Sequence, residues 1–165
     1  MTPARLIATF FGAGLMRPAP GTWGSLAALP VAWAVHVLGG PWALALGALL
    51  AFGIGWWATQ VETAGRDDPD PSEIVIDEVA GMWIALLPVS FGAAGRGVDV
   101  LALWPGIVAA FVLFRLFDIW KPGPVGWADR RHDPLGVMLD DVIAGVFAAI
   151  GVGVLAYIAH VMMGV

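Results

Sequence analysis

The sequence predicts an all-α integral membrane protein, and composition, hydropathy and patterning all predict it. Apolar residues make up 59% of the 165 residues and charged residues only 13%, whereas soluble domains are about 45–50% apolar and about 25% charged. Mean hydropathy is +0.84. The apolar residues also form runs of about 20, the length that a bilayer-spanning helix needs. We expect one membrane-embedded domain over residues 1–165.

The first elements are a short N-terminal helix and a helical hairpin. Residues 4–15 contain one cation, Arg5, and an apolar stretch that is too short and glycine-rich to cross a bilayer, so they predict an interfacial helix. The apolar block at 26–58 is longer than one crossing requires. Gly39-Gly40-Pro41 divides it, since this tripeptide ends one helix and starts another. The first arm, 25–38, contains Pro30 and either crosses the membrane or dips into it and returns.

Three further helices are predicted after the hairpin. They cover residues 74–91, 99–120 and 137–162. The polar stretch 59–73 precedes the first of them, the short link at 92–97 joins the first to the second, and the polar stretch 121–135 precedes the last. The prediction is therefore four to five transmembrane helices, one of them short or re-entrant, plus the interfacial helix.

Alternating crossings place nearly all charge on one side of the membrane. With five crossings, residues 17–25, 59–77 and 118–141 share a side, and only Arg96 among the eight Lys and Arg lies on the other. Because basic residues accumulate on cytoplasmic loops, the charged side is predicted to face the cytoplasm. The expected location is the bacterial cytoplasmic (inner) membrane, as a multi-pass protein.

Two adjacent acids begin each of two apolar helices. Asp77 and Glu78 open the third helix, and Asp140 and Asp141 open the last. A charge at bilayer depth costs on the order of 3 kcal/mol, so such residues tend to be functional or paired. One such pair alone could simply complement the positive end of a helix at the interface. The presence of a second pair favours a functional site.

Small residues near both pairs predict that the two helices pack closely. Gly81 and Gly145 follow the acids by three to five positions, where small residues permit close approach. Four carboxylates would then meet near one interface and repel each other unless a cation joined them. Hard oxygen ligands select Mg²⁺, Mn²⁺ or Ca²⁺ rather than zinc. The predicted metal ligands are Asp77, Glu78, Asp140 and Asp141.

Basic and acidic residues also collect at the end of the fourth helix. Arg115, Asp118 and Lys121 are spaced three residues apart and so share one helix face. They could form an ordinary ion-pair ladder of little energetic value. In the functional interpretation, Asp118 joins the acids while Lys121 and Arg115 bind phosphate. In the next loop, Asp129 adds an acid and Arg130 a cation.

A glycine-containing segment precedes the hairpin. Free backbone N–H groups at a helix start suit phosphate, and glycines let it approach. An ordinary Ser or Thr helix cap is the competing explanation. The candidate phosphate-binding residues of this segment are Gly21, Thr22, Gly24 and Ser25.

Several functional classes are excluded. The chain has no cysteine, which removes thiolate metal sites and a cysteine-nucleophile phosphatase. A net charge of −5 gives no indication of nucleic-acid binding. Acids for a divalent metal and cations for an anion at the lipid–water boundary point to phosphoryl chemistry on a lipid head group. The sequence leaves open direct attack by water or a covalent intermediate, the number of metal ions, acyl-chain preference and oligomeric state.

The chain resembles the bacterial phosphatidylglycerophosphatase A family. The matching stretches are PGTWGSLAALP at 20–30, IVIDEVAGMWIAL at 74–86, FRLFDIWKPGPVGWADRR at 114–131 and GVMLDDVIAGV at 136–146. The resemblance implies Mg²⁺-dependent removal of the terminal phosphate of phosphatidylglycerophosphate, giving phosphatidylglycerol and inorganic phosphate. The resemblance to this family implies no role for residues 59–73. The residues to which the resemblance extends are Asp77, Glu78, Asp118, Lys121, Asp129, Asp140 and Asp141.

Two other classes remain as alternatives. A cation-binding transporter or channel would use the same acids, but it predicts charges near mid-membrane with access from both faces. A non-catalytic assembly factor would have no need for clustered acids beside Lys121 and Arg115. Neither class predicts phosphate release by the purified protein.

Overall fold

The computed structural model describes residues 1–68 and 70–163 and confirms the all-α fold class. No β-strand occurs within these ranges. Four helices of the described chain are long and apolar enough to cross a membrane. Large apolar side chains such as Leu49, Val112 and Ile150 cover the outside of the bundle, as expected for a surface that faces lipid.

The helices follow in the order expected from the sequence. Their bounds are α1 Pro3–Ala8, α2 Pro20–Thr63, α3 Ile76–Arg96, α4 Trp104–Trp120, α5 Pro124–Asp129 and α6 Pro134–Met163, with 3₁₀ turns at Ala13–Leu15 and Val100–Leu103. Of the spanning stretches, that of α3 is 56% buried, and none of the others exceeds 22%. α3 is therefore the central helix of the bundle.

The predicted hairpin is present as a kink within α2. Gly40 has φ 70° and ψ −167°, a conformation that breaks the helix into arms at 20–39 and 41–63. Only glycine adopts such a backbone without strain. At about 1.5 Å per residue, the first arm is about 30 Å long, enough to cross a bilayer core.

The two arms run antiparallel along α3. Near the start of α3, the backbone at Gly24 lies against Val75, and that at Gly55 lies against Ile76. Near its end, His36 Nδ1 and Ser90 Oγ are hydrogen-bonded at 2.6 Å. The first arm therefore extends as far along the bundle as α3 does.

Halfway along α3, Trp83 joins both arms. Its indole Nε1 donates to the Ala28 carbonyl of the first arm at 3.0 Å, and its ring lies against Gly47 of the second. A buried indole N–H needs such a partner.

The N-terminal helix is shorter than predicted. Instead of a helix over 4–15, α1 ends at Ala8, and Phe10, Phe11 and Gly12 all have positive φ. The chain turns here because the Ala8 carbonyl accepts a hydrogen bond from Val75 N–H at 2.8 Å. Ala4 and Ala8 are buried against the protein. Its placement at the membrane interface stays a prediction.

α3 runs beyond its predicted end at Phe91-Gly92. The helix continues to Arg96 and is closed by Gly97 in the left-handed conformation, φ 64°, which is the usual way for a glycine to end a helix. Gly92, the predicted stop, is instead tolerated within the helix.

The stretch 121–135, predicted as a polar loop, contains the six-residue helix α5. Pro124 occupies its first turn, where a missing N–H costs nothing. Val125 and Ala128 are fully buried, and α5 packs against α6. Tertiary contact rather than local sequence therefore stabilises this helix. α6 itself begins at Pro134, three residues before its predicted start.

Backbone contact between α3 and α6 occurs at the glycines singled out in the sequence. A Cβ at Gly145 would collide with the backbone of Gly81, and one at Gly81 would collide with the Asp141 carbonyl and the Phe114 ring. The two helices therefore approach as closely as backbones allow, which confirms the predicted packing role of both glycines.

Replacing Gly145 by alanine should destabilise the protein. The added methyl group forces the two helices apart, a cost of about 1–3 kcal/mol for overpacking. The change should lower Tm, measured by thermal unfolding in detergent. Gly153→Ala on the same helix is the control, because nothing lies within 4 Å of the added carbon and alanine favours helix. Equal Tm values for the two variants would contradict the close-contact assignment.

Candidate active site

Carboxylates from α3 and α6 meet at one end of the bundle. One oxygen each of Asp77, Glu78 and Asp141 lie within 4.8 Å of one another. Asp77 and Asp141 are only 6% and 3% exposed, and Asp140 is 6% exposed. Three of the four predicted carboxylates therefore meet, whereas the fourth, Asp140, is hydrogen-bonded to Lys121 instead.

The two pairs are built in the same way. Asp77 Oδ1 accepts from the backbone N–H of Glu78 at 3.0 Å, and Asp140 Oδ1 accepts from that of Asp141 at 2.9 Å. In each pair, the first acid accepts a hydrogen bond from its neighbour's backbone, and the second has a buried carboxylate oxygen with no hydrogen-bond partner in the described chain.

The residues present fit a hard divalent cation. Asp141 Oδ1 and Glu78 Oε2 are buried with no hydrogen-bond partner in the described chain. A buried polar atom without a partner is costly, and like charges at this distance repel. A divalent cation with oxygen ligands would satisfy both requirements. The donor set does not by itself distinguish Mg²⁺ from Ca²⁺ or Mn²⁺.

Lys121 links the fourth acid to the loop after α4. Its Nζ lies 2.6 Å from Asp140 Oδ2 and 2.6 Å from Asp129 Oδ1. α4 ends here because Lys121 adopts a left-handed backbone, φ 50°. Burial disfavours the ammonium, but the hydrogen bonds to the two carboxylates outweigh it and raise the pKa of Lys121. The side chain therefore stays charged at neutral pH.

The short helix α5 brings Asp129 into place. Asp129 is its last residue. A side chain at Gly126 would collide with the Lys121 carbonyl, so α5 lies directly on the end of α4. Without this helix, Asp129 would not reach the lysine.

Arg115 and Asp118 form an ion pair on the α4 face that borders the acids. Arg115 Nη1 lies 2.5 Å from Asp118 Oδ2, with the side chains 17% and 15% exposed. Arg115 Nε is buried and has no hydrogen-bond partner among the described residues. The guanidinium therefore retains an unused donor, which an anion could accept.

The glycine segment before the hairpin divides into two parts. A side chain at Gly21 would collide with the Glu78 carboxylate and lie next to Arg115, so this backbone borders the acids. Thr22 is half-buried. Gly24 instead packs on Val75, and the buried Ser25 hydroxyl donates to the Gly21 carbonyl at 2.8 Å.

Arg130, predicted to bind phosphate, lies at the surface next to α5. It is exposed and forms no ion pair with another described residue. It lies beside Gly126 on α5, at the edge of the site.

Asp70 borders the site but was not among the site residues predicted from the sequence. This residue lies in the 59–73 stretch, to which no role was assigned, yet its carboxylate is close enough to Lys121, Asp129 and Asp118 to interact with them electrostatically. The residue as a whole is exposed, but partial burial of its carboxyl group, which outweighs the attraction of Lys121, raises the pKa of Asp70. The predicted topology could have indicated Asp70, since it puts this loop on the same side of the membrane as the acid pairs.

Fold and site together define a helical membrane protein with buried carboxylates beside cationic side chains at one end. The chain belongs to the phosphatidylglycerophosphatase A family, whose family model matches residues 6–156.

Individual relatives cover nearly the whole chain. Phosphatidylglycerophosphatase A of Escherichia coli K12 is 38% identical over 160 residues, 96% of this chain and 84% of the relative. That of Haemophilus influenzae is 37% identical, over 95% of this chain and 91% of the relative. A Bacteroides thetaiotaomicron protein with the provisional name phosphatidylinositol-3-phosphatase is 38% identical over 93% of both chains. No solved structure matches the chain.

Divalent cation binding should be visible in thermal stability, independently of any reaction. A cation that binds the folded state at about 100 times its Kd stabilises by about 2.7 kcal/mol, so Mg²⁺ should raise the Tm of the wild type in detergent. Asp141→Asn should have a higher Tm than the wild type without Mg²⁺, because one repelling charge is gone, and should no longer respond to Mg²⁺. Asp67→Asn, in the exposed loop, should respond as the wild type does. A response retained in Asp141→Asn would contradict the cation site.

Lys121→Met should destabilise the protein by an amount that does not change between pH 7 and 9. The substitution leaves Asp140 without its partner; breaking a buried pair costs about 3–5 kcal/mol, and the partial exposure of Lys121 lowers this. Since the lysine pKa is raised, its stabilisation is fully present below the ordinary lysine pKa and is lost only as pH rises through the higher folded value. The measurement is Tm across this range against Arg130→Met, which removes an unpaired charge. A difference that disappears by pH 9 would show that the ammonium is not held charged.

Proposed function

We propose that this protein hydrolyses the terminal phosphate of phosphatidylglycerophosphate in an Mg²⁺-dependent reaction, giving phosphatidylglycerol and phosphate for phospholipid biosynthesis. The observation that carries the proposal is the meeting of Asp77, Glu78 and Asp141 within 4.8 Å, next to the cations Lys121 and Arg115. Membership of the phosphatidylglycerophosphatase A family supports the substrate.

The carboxylates would hold the metal. Asp77, Glu78 and Asp141 offer oxygens close enough to share one ion. Asp140, which precedes Asp141 in the chain, is hydrogen-bonded to Lys121. Bound Mg²⁺ would neutralise charge on the phosphoryl oxygens. The carboxylates would be held in position for the metal because α3 and α6, which carry them, are fixed against each other by backbone contact.

Cationic side chains and a glycine would bind the substrate phosphate. Arg115 has an unused buried donor and lies beside Gly21, whose lack of a side chain makes room for the Glu78 carboxylate. Lys121 supplies a compact positive charge on the other flank. Thr22 and Arg130 would contact the edge of the phosphate, whereas Gly24, which packs on Val75, and Ser25, which bonds the Gly21 carbonyl, would support this segment.

In the hydrolysis, an oxygen nucleophile forms a bond to phosphorus as the bond to the glycerol oxygen breaks and that oxygen takes up a proton. Asp118 and Asp129 are the acids best placed to orient a water or to move this proton, since each already pairs with a cation at the site. Direct attack by water and a covalent intermediate are both compatible with this arrangement.

The site lies where a lipid head group would be. It occupies the end of the bundle that carries nearly all of the charges, at the ends of long apolar helices. With both α2 arms crossing, the protein would have five crossings, and the positive-inside tendency would then put this end in the bacterial cytoplasm. The glycerophosphate would then enter from the interface while the acyl chains remain in the bilayer.

Phosphatidylinositol 3-phosphate is a second candidate substrate. The provisional name of the Bacteroides relative favours it, with identity equal to that of the E. coli protein. Both candidates are phosphate monoesters on a lipid head group, so the same carboxylates and cations would serve either one.

The deciding experiment is phosphate release by the purified protein in detergent. Wild type should release phosphate from phosphatidylglycerophosphate with Mg²⁺ and not with EDTA, and kcat/KM should exceed that for phosphatidylinositol 3-phosphate. Asp77→Asn and Asp140→Asn should lose nearly all turnover, and Lys121→Ala most of it, in proteins that remain folded.

Other outcomes would select the alternatives. Faster release from phosphatidylinositol 3-phosphate would reassign the substrate. Wild-type turnover in both Asp variants would remove the metal assignment. Absence of release together with Mg²⁺ flux into liposomes would favour the transporter.

A further inference from the structure

Glu62, at the end of α2, connects three parts of the chain. Thr2 Oγ1 donates to Glu62 Oε1 at 3.1 Å. Arg5 Nη1 and Arg66 Nη2 lie 3.7 and 3.6 Å from Glu62 Oε2. The Glu62 side chain is only 12% exposed. One carboxylate therefore joins the N-terminal segment and the 64–75 loop to α2.

The same loop is tied again just before α3 begins. Arg66 Nη1 also contacts Glu73 Oε1, at 3.3 Å, so Arg66 spans the loop from Glu62 to Glu73. The backbone at Glu73 lies against Gly14, which has no room for a side chain. The N-terminal segment thus holds both ends of this loop.

A hydrogen bond to the N-terminal segment fixes the N-cap residue of α3. The Ala8 carbonyl accepts from Val75 N–H at 2.8 Å, and Val75 is fully buried as the N-cap residue of α3. Asp77 and Glu78 follow two and three residues later. The contacts that hold Val75 in place therefore also fix the positions of the Asp77 and Glu78 carboxylates.

The turn that presents the Ala8 carbonyl is strained. Phe10 and Phe11 have φ 43° and 56°, values that are rare for bulky residues. Such a backbone persists only when surrounding contacts over-determine it, and it occurs most often at functional sites. The buried Thr9 is one such contact, since its hydroxyl donates to the Arg5 carbonyl at 2.8 Å and accepts from Gly12 N–H at 3.2 Å. The ties at Glu62 are the others.

We propose that Glu62 is a positioning residue for the acid pair at the start of α3, acting through the N-terminal segment and Arg66. The inference rests on the proposed function, which requires Asp77 and Glu78 to meet Asp141 with little freedom. Sites of this kind need ligands held within about 0.5 Å, and a misplacement of about 1 Å can cost a hundredfold in rate. Glu62 touches neither the other carboxylates nor the cations of the site.

A positioning role can be separated from a purely structural one. The two arginine partners of Glu62 are 35% and 36% exposed and lie 3.7 and 3.6 Å from its carboxylate, and long, partly solvated pairs of this kind contribute little to stability. Glu62→Ala should therefore leave Tm without Mg²⁺ close to that of the wild type. It should lower kcat about tenfold and raise several-fold the Mg²⁺ concentration for half-maximal activity, with KM for the lipid little changed. Glu62→Gln keeps an acceptor for Thr2 and should lie between the two.

Matched variants make the test specific. Asp67→Asn removes the same charge from the loop that follows α2, at an exposed residue with no ion pair in the described chain, and should behave as the wild type. Arg66→Gln breaks the ties to Glu62 and Glu73 and should repeat the Glu62→Ala effect, which provides a second route should Glu62→Ala fail to fold.

Failure of this inference is distinguishable from failure of the proposed function. The Mg²⁺-induced rise in Tm reports the carboxylates without any reaction, and it should shrink in Glu62→Ala and Arg66→Gln but not in Asp67→Asn. Unchanged Mg²⁺ dependence in both of the first two variants would overturn the positioning role, as would activity lost only in proportion to Tm. A wild type that binds Mg²⁺ but releases no phosphate would overturn the proposed reaction alone.

Discussion

The backbone contact between α3 and α6 is the constraint on which the rest of the structure depends. Gly81 and Gly145 let the two helices touch without intervening side chains, and the acid pairs lie about one turn before these glycines on each helix. Because the helix axes cannot separate there, Asp77 and Asp141 must share a small volume. Any larger residue at either glycine would widen the site as well as the packing.

This closeness sets stability against function. Buried carboxylates that repel each other cost free energy that an apolar pair at the same positions would not. The chain retains them at the crossing of its most buried helix, where they are hardest to accommodate. Local conflict of this kind marks a functional site, and the remaining packing, including Trp83 between the two arms of α2, compensates for it.

The sequence was informative where charge is rare and weak where geometry depends on tertiary contact. In an apolar helix, the adjacent acids at 77–78 and 140–141 could hardly be missed, and the glycines beside them predicted the crossing. The bond of Lys121 to both Asp129 and Asp140 could not be predicted, because it depends on a left-handed residue and on a helix of six residues that forms only against α6. Asp70 was missed for the same reason, since its loop has no periodic pattern and its position is set by contacts with the N-terminal segment.

The kink at Gly40 leaves very little protein on the side of the bundle opposite the carboxylates. The arms of α2 turn within a few residues, and the link from α3 to α4 is nearly as short. An antibody or designed binder raised against that side would find few rigid epitopes. Reagents for imaging the molecule or for holding it in one conformation must therefore bind the charged end. There they would compete with the lipid substrate for access to the site and would also act as inhibitors.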